Sequence, residues 1–304
     1  MENWPKVSVV IPVYNGSDYL SEAIESALAQ DYPNFEVLVV NDGSTDDGAT
    51  EKVALSYGGA IRYFSKKNGG VASALNCAIN RMEGEYFSWL SHDDLYVANK
   101  ISRQVDAARR CGANDIVIYS LAGAFSNNKD IFRVLDIPNE CSGWFKYFLA
   151  TNSSLHGCTL LIPRAAFQVC GFFDENLRTT QDYDMWFRLA DKYRFLCVRE
   201  VLVKARQHGA QGTVTMSSIV RRECDALVCS FVSRMNPADM PAYKGGVESA
   251  WLDLARVSYK RGLIKAARLT LSKIGSASGK AILIRLAGEM TNAARLALIT
   301  LRLR

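Results

Sequence analysis

Two runs of branched and aliphatic residues, Val7-Ser8-Val9-Val10-Ile11 and Phe35-Glu36-Val37-Leu38-Val39-Val40, limit this chain more than any other feature. Each is almost continuously apolar, as expected of a central parallel strand buried on both faces. Between them, residues 18–30 read as a helix, with Tyr19, Leu20, Ile24, Ala27 and Leu28 recurring at helical spacing. The same beat continues, with strands expected at 61–64, 86–90 and 115–119 and helices at 45–57, 70–82 and 99–111. This alternation predicts an α/β fold, a mainly parallel sheet flanked by helices. Ligands on such sheets bind beyond the carboxyl ends of the strands. From about residue 120 to 150 the rhythm gives way to irregular, aromatic-rich sequence. A further strand is expected at 157–163 and an amphipathic helix at 183–193. Beyond residue 217 the chain reads as helical, with a loop around Asn236-Pro237.

A chain of 304 residues suits one large domain with an appendage. Its net charge of +5 is unevenly placed: residues 256–304 carry eleven Lys and Arg against the single acid Glu289. The rest of the chain is therefore net acidic, which argues against a uniformly basic nucleic-acid binder. Eight cysteines, at 77, 111, 141, 158, 170, 197, 224 and 229, contain no Cys-x-x-Cys pair. Buried free thiols in a reducing compartment account for them. Trp4-Pro5-Lys6 leads straight into the first strand with no secretory leader, and no apolar run nears the ~20 residues of a membrane span. A cytoplasmic location is expected.

Chemistry-bearing residues gather where the strands end. After the first strand comes Pro12-Val13-Tyr14-Asn15-Gly16, which is neither G-x-G-x-x-G nor a P-loop. Pro12 is expected to end the ladder, and Tyr14 could lie against a flat base; a plain strand-to-helix turn is the other reading. Asp42, in Asn41-Asp42-Gly43-Ser44-Thr45-Asp46, can accept hydrogen bonds from a base or ribose, while Ser44 or Thr45 would cap a helix. Lys66-Lys67-Asn68-Gly69-Gly70 opens a helix whose backbone N–H groups suit phosphate, or it is a solvated basic loop. Ser91-His92-Asp93-Asp94 sets two carboxylates side by side, a pattern suited to a hard divalent ion with phosphate oxygens, or to a capping turn. Gln181-Asp182-Tyr183-Asp184-Met185-Trp186 offers two carboxylates at a helix start, either one fit for a general base or for capping. Of the three histidines, 92, 156 and 208, His208 becomes a third metal ligand if its segment folds back over the diphosphate.

The ordered set Val9-Val10-Ile11-Pro12-Val13-Tyr14-Asn15, Val40-Asn41-Asp42-Gly43-Ser44-Thr45-Asp46, Asn68-Gly69-Gly70, His92-Asp93-Asp94 and Gln181-Asp182-Tyr183-Asp184-Met185-Trp186-Phe187-Arg188 resembles family 2 glycosyltransferases. These are inverting enzymes of GT-A fold, and the resemblance covers roughly residues 5–215. It implies a catalytic domain over 1–215 and a helical, basic region over 216–304. It implies donor contacts from Pro12, Tyr14, Asn15, Asp42, Asn68, Gly69, His92 and Asp93, with Asp42 on the base. Asp93, Asp94 and His208 would hold Mn2+ or Mg2+, Asp182 would be the catalytic base, and Trp186, Arg188 and His156 would support the acceptor side. Two positions depart from the family's pattern: Ser91, where Asp is common, and Gln181, where Glu is common. The first weakens one ribose or metal contact; the second leaves the base in place.

The implied activity is transfer of a sugar from a nucleotide-sugar donor, UDP-linked by preference, to a hydroxyl of a glycan or lipid-linked acceptor. Cell-surface polysaccharide assembly of the O-antigen type is the expected setting. The tail intersperses Lys273, Lys280, Arg285, Arg295, Arg302 and Arg304 with Ile282, Leu283, Leu286, Leu296, Leu298 and Leu301. It suits a peripheral contact with the inner membrane surface, at ~1 kcal/mol per basic residue, or a helix packed on the catalytic domain. Two rivals differ in class. A sugar-nucleotide pyrophosphorylase would want a Gly-rich, Arg-containing loop after strand one, which this chain lacks. A non-catalytic scaffold that binds nucleotide sugar would not need Asp182 beside Asp93 and Asp94.

Overall fold

The computed structural model describes residues 4–112, 115–126, 130–135, 137–138, 142–209, 217–241 and 245–274, with the isolated positions 284, 287, 288 and 291. Contacts group the chain into two units: Met1–Asn139 with Ser154–Thr215, and Glu140–Ser153 with Met216–Arg304.

The first unit is a sheet flanked by helices. Its strands are β1 (Val7–Val13), β2 (Phe35–Asn41), β3 (Arg62–Ser65), β4 (Tyr86–Trp89), β5 (Leu95–Tyr96), β6 (Ile116–Phe125), β7 (Ile131–Leu135), β8 (Leu160–Pro163) and β9 (Arg194–Arg206). They run in the order β3-β2-β1-β4-β8-β6-β9-β5, with β7 on β6. The first four are mutually parallel, in the register Val9 against Val37 and Leu38 against Arg62. Every residue of β1 is buried, as its apolar run requires. Crossovers are made by α1 (Leu20–Leu28), α2 (Ala49–Leu55), α3 (Val71–Ile79) and α4 (Lys100–Cys111). Pro12 does not end the ladder: it is buried and registers with Val40, and β1 continues to Val13.

Beyond β4 the sheet is mixed. Strand β8 is antiparallel to both β4 and β6, and β9 is parallel to β6 and antiparallel to β5. Here the sequence expectations need correction. The strand expected at 115–119 runs on through Ser120, Ala122, Gly123 and Ala124 to Phe125, every residue buried. Small residues give weak strand propensity, but a strand covered by neighbours on both edges is decided by tertiary packing. Strand β9, of 13 residues, is not among the strands expected from the sequence; its alternation is broken by the charges Arg199 and Glu200 and by register shifts opposite Ser120 and Leu121. The strand expected at 157–163 is a 3-10 turn over Gly157–Thr159 followed by β8. Two further helices are α5 (Phe145–Thr151), inside the region expected to be irregular, and α6 (Ala165–Cys170). The helix expected at 183–193 is α7 (Gln181–Leu189), which starts two residues earlier.

The second unit is helical in its described residues: α5, α8 (Ser217–Arg234), α9 (Val247–Arg261) and α10 (Ile264–Ser272). Asp225 on α8 accepts the backbone N–H groups of Lys265 and Ala266 at 3.2 and 2.9 Å, satisfying donors that a helix start leaves open. Tyr147 Oη donates to Asp253 Oδ2 at 2.7 Å, joining α5 to α9. Most of the basic tail, including Lys280, Arg285, Arg295, Arg302 and Arg304, lies outside the described residues. Among those described, no helix is long and apolar enough to cross a membrane, and every cysteine is free.

Candidate functional site

The carboxyl ends of β1 and β2 are zipped together by polar side chains. Asn15, at a φ of 49°, receives the Ser44 hydroxyl as acceptor of its N–H at 2.9 Å, and its Oδ1 accepts the Thr45 N–H at 2.7 Å. Beside this zipper the Tyr14 ring is 46% exposed, a flat face open to a base. Asp42, only 3% exposed, accepts from Lys66 Nζ at 2.7 Å and from the N–H groups of Gly69 and Gly70 at 3.1 and 2.7 Å. Its carboxylate thus fastens the 66–70 loop to the end of β2. The Gly69 N–H also reaches Asp42 Oδ2 at 3.2 Å, so both carboxylate oxygens are engaged by the loop. Asn68 is exposed on that loop, and Gly69 contributes its N–H to Asp42.

The 91–94 segment ends β4 and sends its two carboxylates different ways. Asp93 Oδ2 lies 2.9 Å from His208 Nε2, beyond the end of β9. The Tyr19 ring packs against His208 with centroids 5.2 Å apart. His92 lies over Gly16, where a Cβ would come within 2.3 Å of its ring. Burial lowers the His92 pKa, opposed by the negative charges of Asp93 and Asp18. Asp94 turns inward, 2% exposed, with Oδ1 accepting the Arg206 N–H at 2.9 Å and Oδ2 accepting the Cys158 thiol at 3.4 Å. His156 Nε2 is 3.5 Å from the same Oδ2. Asp94 therefore does not stand with Asp93 and His208 around one ion; it groups with His156 and Cys158.

Arg206 holds this segment in place. Its Nε donates to the Asp93 carbonyl at 2.8 Å and its Nη2 to Glu22 at 3.3 Å. The guanidinium stands over the Tyr19 and Phe125 rings, 4.3 and 4.6 Å from their centroids. Neither Arg206 nor Cys158 was assigned a role from sequence. The Arg206-x-His208 and His156-x-Cys158 spacings were the available signals, but each needed its distant partner to mean anything.

Helix α7 presents Asp182 in its first turn. The side chain is half-buried, with Oδ1 accepting the Tyr183 N–H at 2.8 Å. Desolvation raises its pKa to about 6, against the pull of that N–H and of nearby His156. The charge of His156 thus bears on both Asp182 and Asp94. Tyr183 accepts the Leu155 N–H at 3.1 Å, tying the 155–158 turn to α7. The other acceptor-side residues lie deeper than expected. Trp186 is 0% exposed and packs edge-on to Phe173, so it is a core residue and not a surface for an acceptor. Arg188 pairs with Asp184 at 2.9 Å and donates to the carbonyls of Cys170 and Phe172, bracing that turn.

A carboxylate oxygen and an imidazole nitrogen 2.9 Å apart fit adjacent positions on an octahedral Mg2+ or Mn2+, whose edge is about 3 Å at a bond length of ~2.1 Å. Asp93 and His208 therefore suit such an ion.

Known proteins resemble this chain in sequence and in fold. The family Glycosyl transferase family 2 matches residues 8–175. An uncharacterised glycosyltransferase of Rickettsia typhi is 43% identical over 271 residues, 88% of this chain and 84% of that protein. The hyaluronan synthase of Pasteurella multocida is 28% identical over 76% of this chain but only 23% of its own length. Among solved structures, S. aureus TarS 1-349 in complex with UDP-GlcNAc is similar with a TM-score of 0.59 at 19% identity, covering 93% of this chain and 79% of that one. The mannosyltransferase PcManGT from Pyrobaculum calidifontis, in complex with GDP-Man and Mn2+, gives 0.58 at 18%, covering 97% and 81%. At these identities the likeness is one of fold, and the fold is GT-A.

Proposed function

Because this chain belongs to glycosyltransferase family 2, we propose that it is an inverting, metal-dependent enzyme moving a sugar from a nucleoside-diphosphate donor to a hydroxyl of a glycan or lipid-linked acceptor. The observation that supports this reading is His156, which stands 3.5 Å from Asp94 Oδ2 and whose charge also bears on Asp182. Asp182 takes the proton of the acceptor hydroxyl while that oxygen forms its bond to the anomeric carbon. The bond to the nucleoside diphosphate breaks on the opposite face, so configuration inverts. A pKa of about 6 leaves Asp182 ionised at neutral pH yet basic enough to accept a proton. Asp93 and His208 would hold Mn2+ or Mg2+, and the ion would supply positive charge against the charge developing on the departing diphosphate.

The donor reading rests on Tyr14 and on the Asp42–Lys66 pair. A carboxylate beside an ammonium matches an edge that offers an imino N–H next to a carbonyl, as uracil and guanine do and adenine and cytosine do not. Uridine is preferred, in line with the UDP-GlcNAc bound by TarS. In this reading residues 1–215 form the catalytic domain. Residues 216–304 form a basic helical region that meets the cytoplasmic face of the membrane, in the service of surface-polysaccharide assembly. A nucleotide-binding scaffold without activity would have no use for a recessed, basic Asp182.

Calorimetry of nucleoside diphosphates against wild type and Asp93→Ala, with and without Mn2+, tests the donor site. Tight, Mn2+-dependent binding of UDP that Asp93→Ala abolishes is expected. No binding of any nucleotide under either condition overturns the proposal.

A further inference from the structure

Cys158 is the one residue of the site that sugar transfer does not call for. Its Sγ is fully buried, 3.4 Å from Asp94 Oδ2, and that oxygen is 3.5 Å from His156 Nε2. All three ligand atoms lie within 4.8 Å of one another. We propose that Asp94, His156 and Cys158 form a second cation site, separate from the Asp93–His208 pair and selective for a soft divalent ion of the Zn2+ type.

Geometry and donor chemistry both support this. With Zn–S near 2.3 Å and Zn–N and Zn–O near 2.0 Å, a tetrahedral ion sets edges of about 3.3–3.5 Å between its ligand atoms. The two measured edges already have that length. A sulfur and an imidazole favour Zn2+ over the hard ions that carboxylate and phosphate oxygens attract. The surroundings resemble an outer shell: the Ser91 N–H points at Cys158 Sγ at 3.2 Å, and the Arg206 N–H occupies the other oxygen of Asp94 at 2.9 Å. His156, with 29% of its side chain exposed, gives the ion a way in and leaves a fourth position to water.

Binding has a definite proton balance. The Cys158 S–H bond breaks, its proton leaves to solvent, and the sulfur lone pair bonds the metal. The His156 ring now accepts the Cys158 N–H at Nδ1, a 3.4 Å contact at the outer limit of a hydrogen bond. Ligation through Nε2 moves the ring proton to Nδ1 and gives up that contact.

The test is a titration of the full chain with Co2+ as a visible stand-in for Zn2+. Wild type and Asp93→Ala are expected to develop a near-ultraviolet thiolate-to-cobalt band with one equivalent of Co2+, and Zn2+ should bleach it. Cys158→Ser should lose the band, and His156→Ala should bind at least ~10-fold more weakly. Absence of the band in wild type at saturating Co2+ overturns the proposal. So does its persistence in Cys158→Ser, which would assign it to other thiols. Loss of the band in Asp93→Ala would merge the two sites into one and overturn it equally. None of these outcomes depends on transferase activity, so the proposed function stands or falls separately.

Discussion

The two halves of the sheet build their parts of the site in different ways. In the proximal half, β3-β2-β1-β4, polar contacts join segments close in sequence: Asn15 to Thr45 across 30 residues and Asp42 to Lys66 across 24. In the distal half, β8-β6-β9-β5, the contacts that aim the chemistry span far more chain: Ser91 to Cys158 across 67, Asp94 to Arg206 across 112, and Asp93 to His208 across 115. The proximal half can assemble its nucleotide-side loops from neighbouring βα units. The distal half can place its residues only after the whole sheet has closed, because four strands of mixed direction must be in register first. The proposed donor side is therefore locally wired, and the proposed base and metal side is a product of the global fold.

Breaking the distal half at its chemistry gives the largest expected effect. Asp182→Asn should lower turnover by ~10²–10⁴-fold, read as nucleoside diphosphate release, while donor affinity by calorimetry stays within about twofold. Unchanged turnover would falsify the base assignment. Wild-type turnover should rise with pH through about 6 as Asp182 ionises.

Next comes the packing that supports it. A Cβ on Gly157 would sit 2.5 Å from the Trp89 ring, so Gly157→Ala should destabilise the fold by about 1–3 kcal/mol in denaturant titration. On the proximal side, Gly59 has open space around the added carbon, and Gly59→Ala should change stability by less than about 0.5 kcal/mol. Equal costs at the two positions would erase the contrast between the halves.

Asp182 also carries a stability cost. Its folded pKa of about 6 lies above the usual 3.8, so the protonated group fits without penalty below about pH 4 and folding loses stability as pH rises through 6. Asp182→Asn should thus be more stable than wild type at pH 8, by up to about 3 kcal/mol, and the gain should vanish below about pH 4. A constant difference across that range would remove burial as the cause. The smallest effect on ligand binding is expected at Glu22, which braces Arg206 from α1. Glu22→Gln should weaken Mn2+ affinity by roughly tenfold at most, measured by electron paramagnetic resonance. Affinity equal to wild type would show that the Arg206 contact to the Asp93 carbonyl suffices alone.

The amino-acid order by itself determined the alternation of buried strands and helices, the GT-A family pattern, and the polar clusters at strand ends around Tyr14, Asp42, Asp93 and Asp182. These are local signals: nearly unbroken apolar runs such as Val7–Val13 favour burial on both faces, and a polar stop at a strand end marks the ligand edge. Tertiary structure alone decided that β6 continues through Ser120, Ala122 and Gly123, since those small residues become strand only when β9 pairs along one edge and, from Ala122 on, β7 along the other. It alone turned Asp94 away from Asp93 toward His156 and Cys158, sank Trp186 into the core, and placed Arg206 between two aromatic rings. Each of those outcomes depends on a partner far away in sequence, and where such partners meet is settled by sheet order and register.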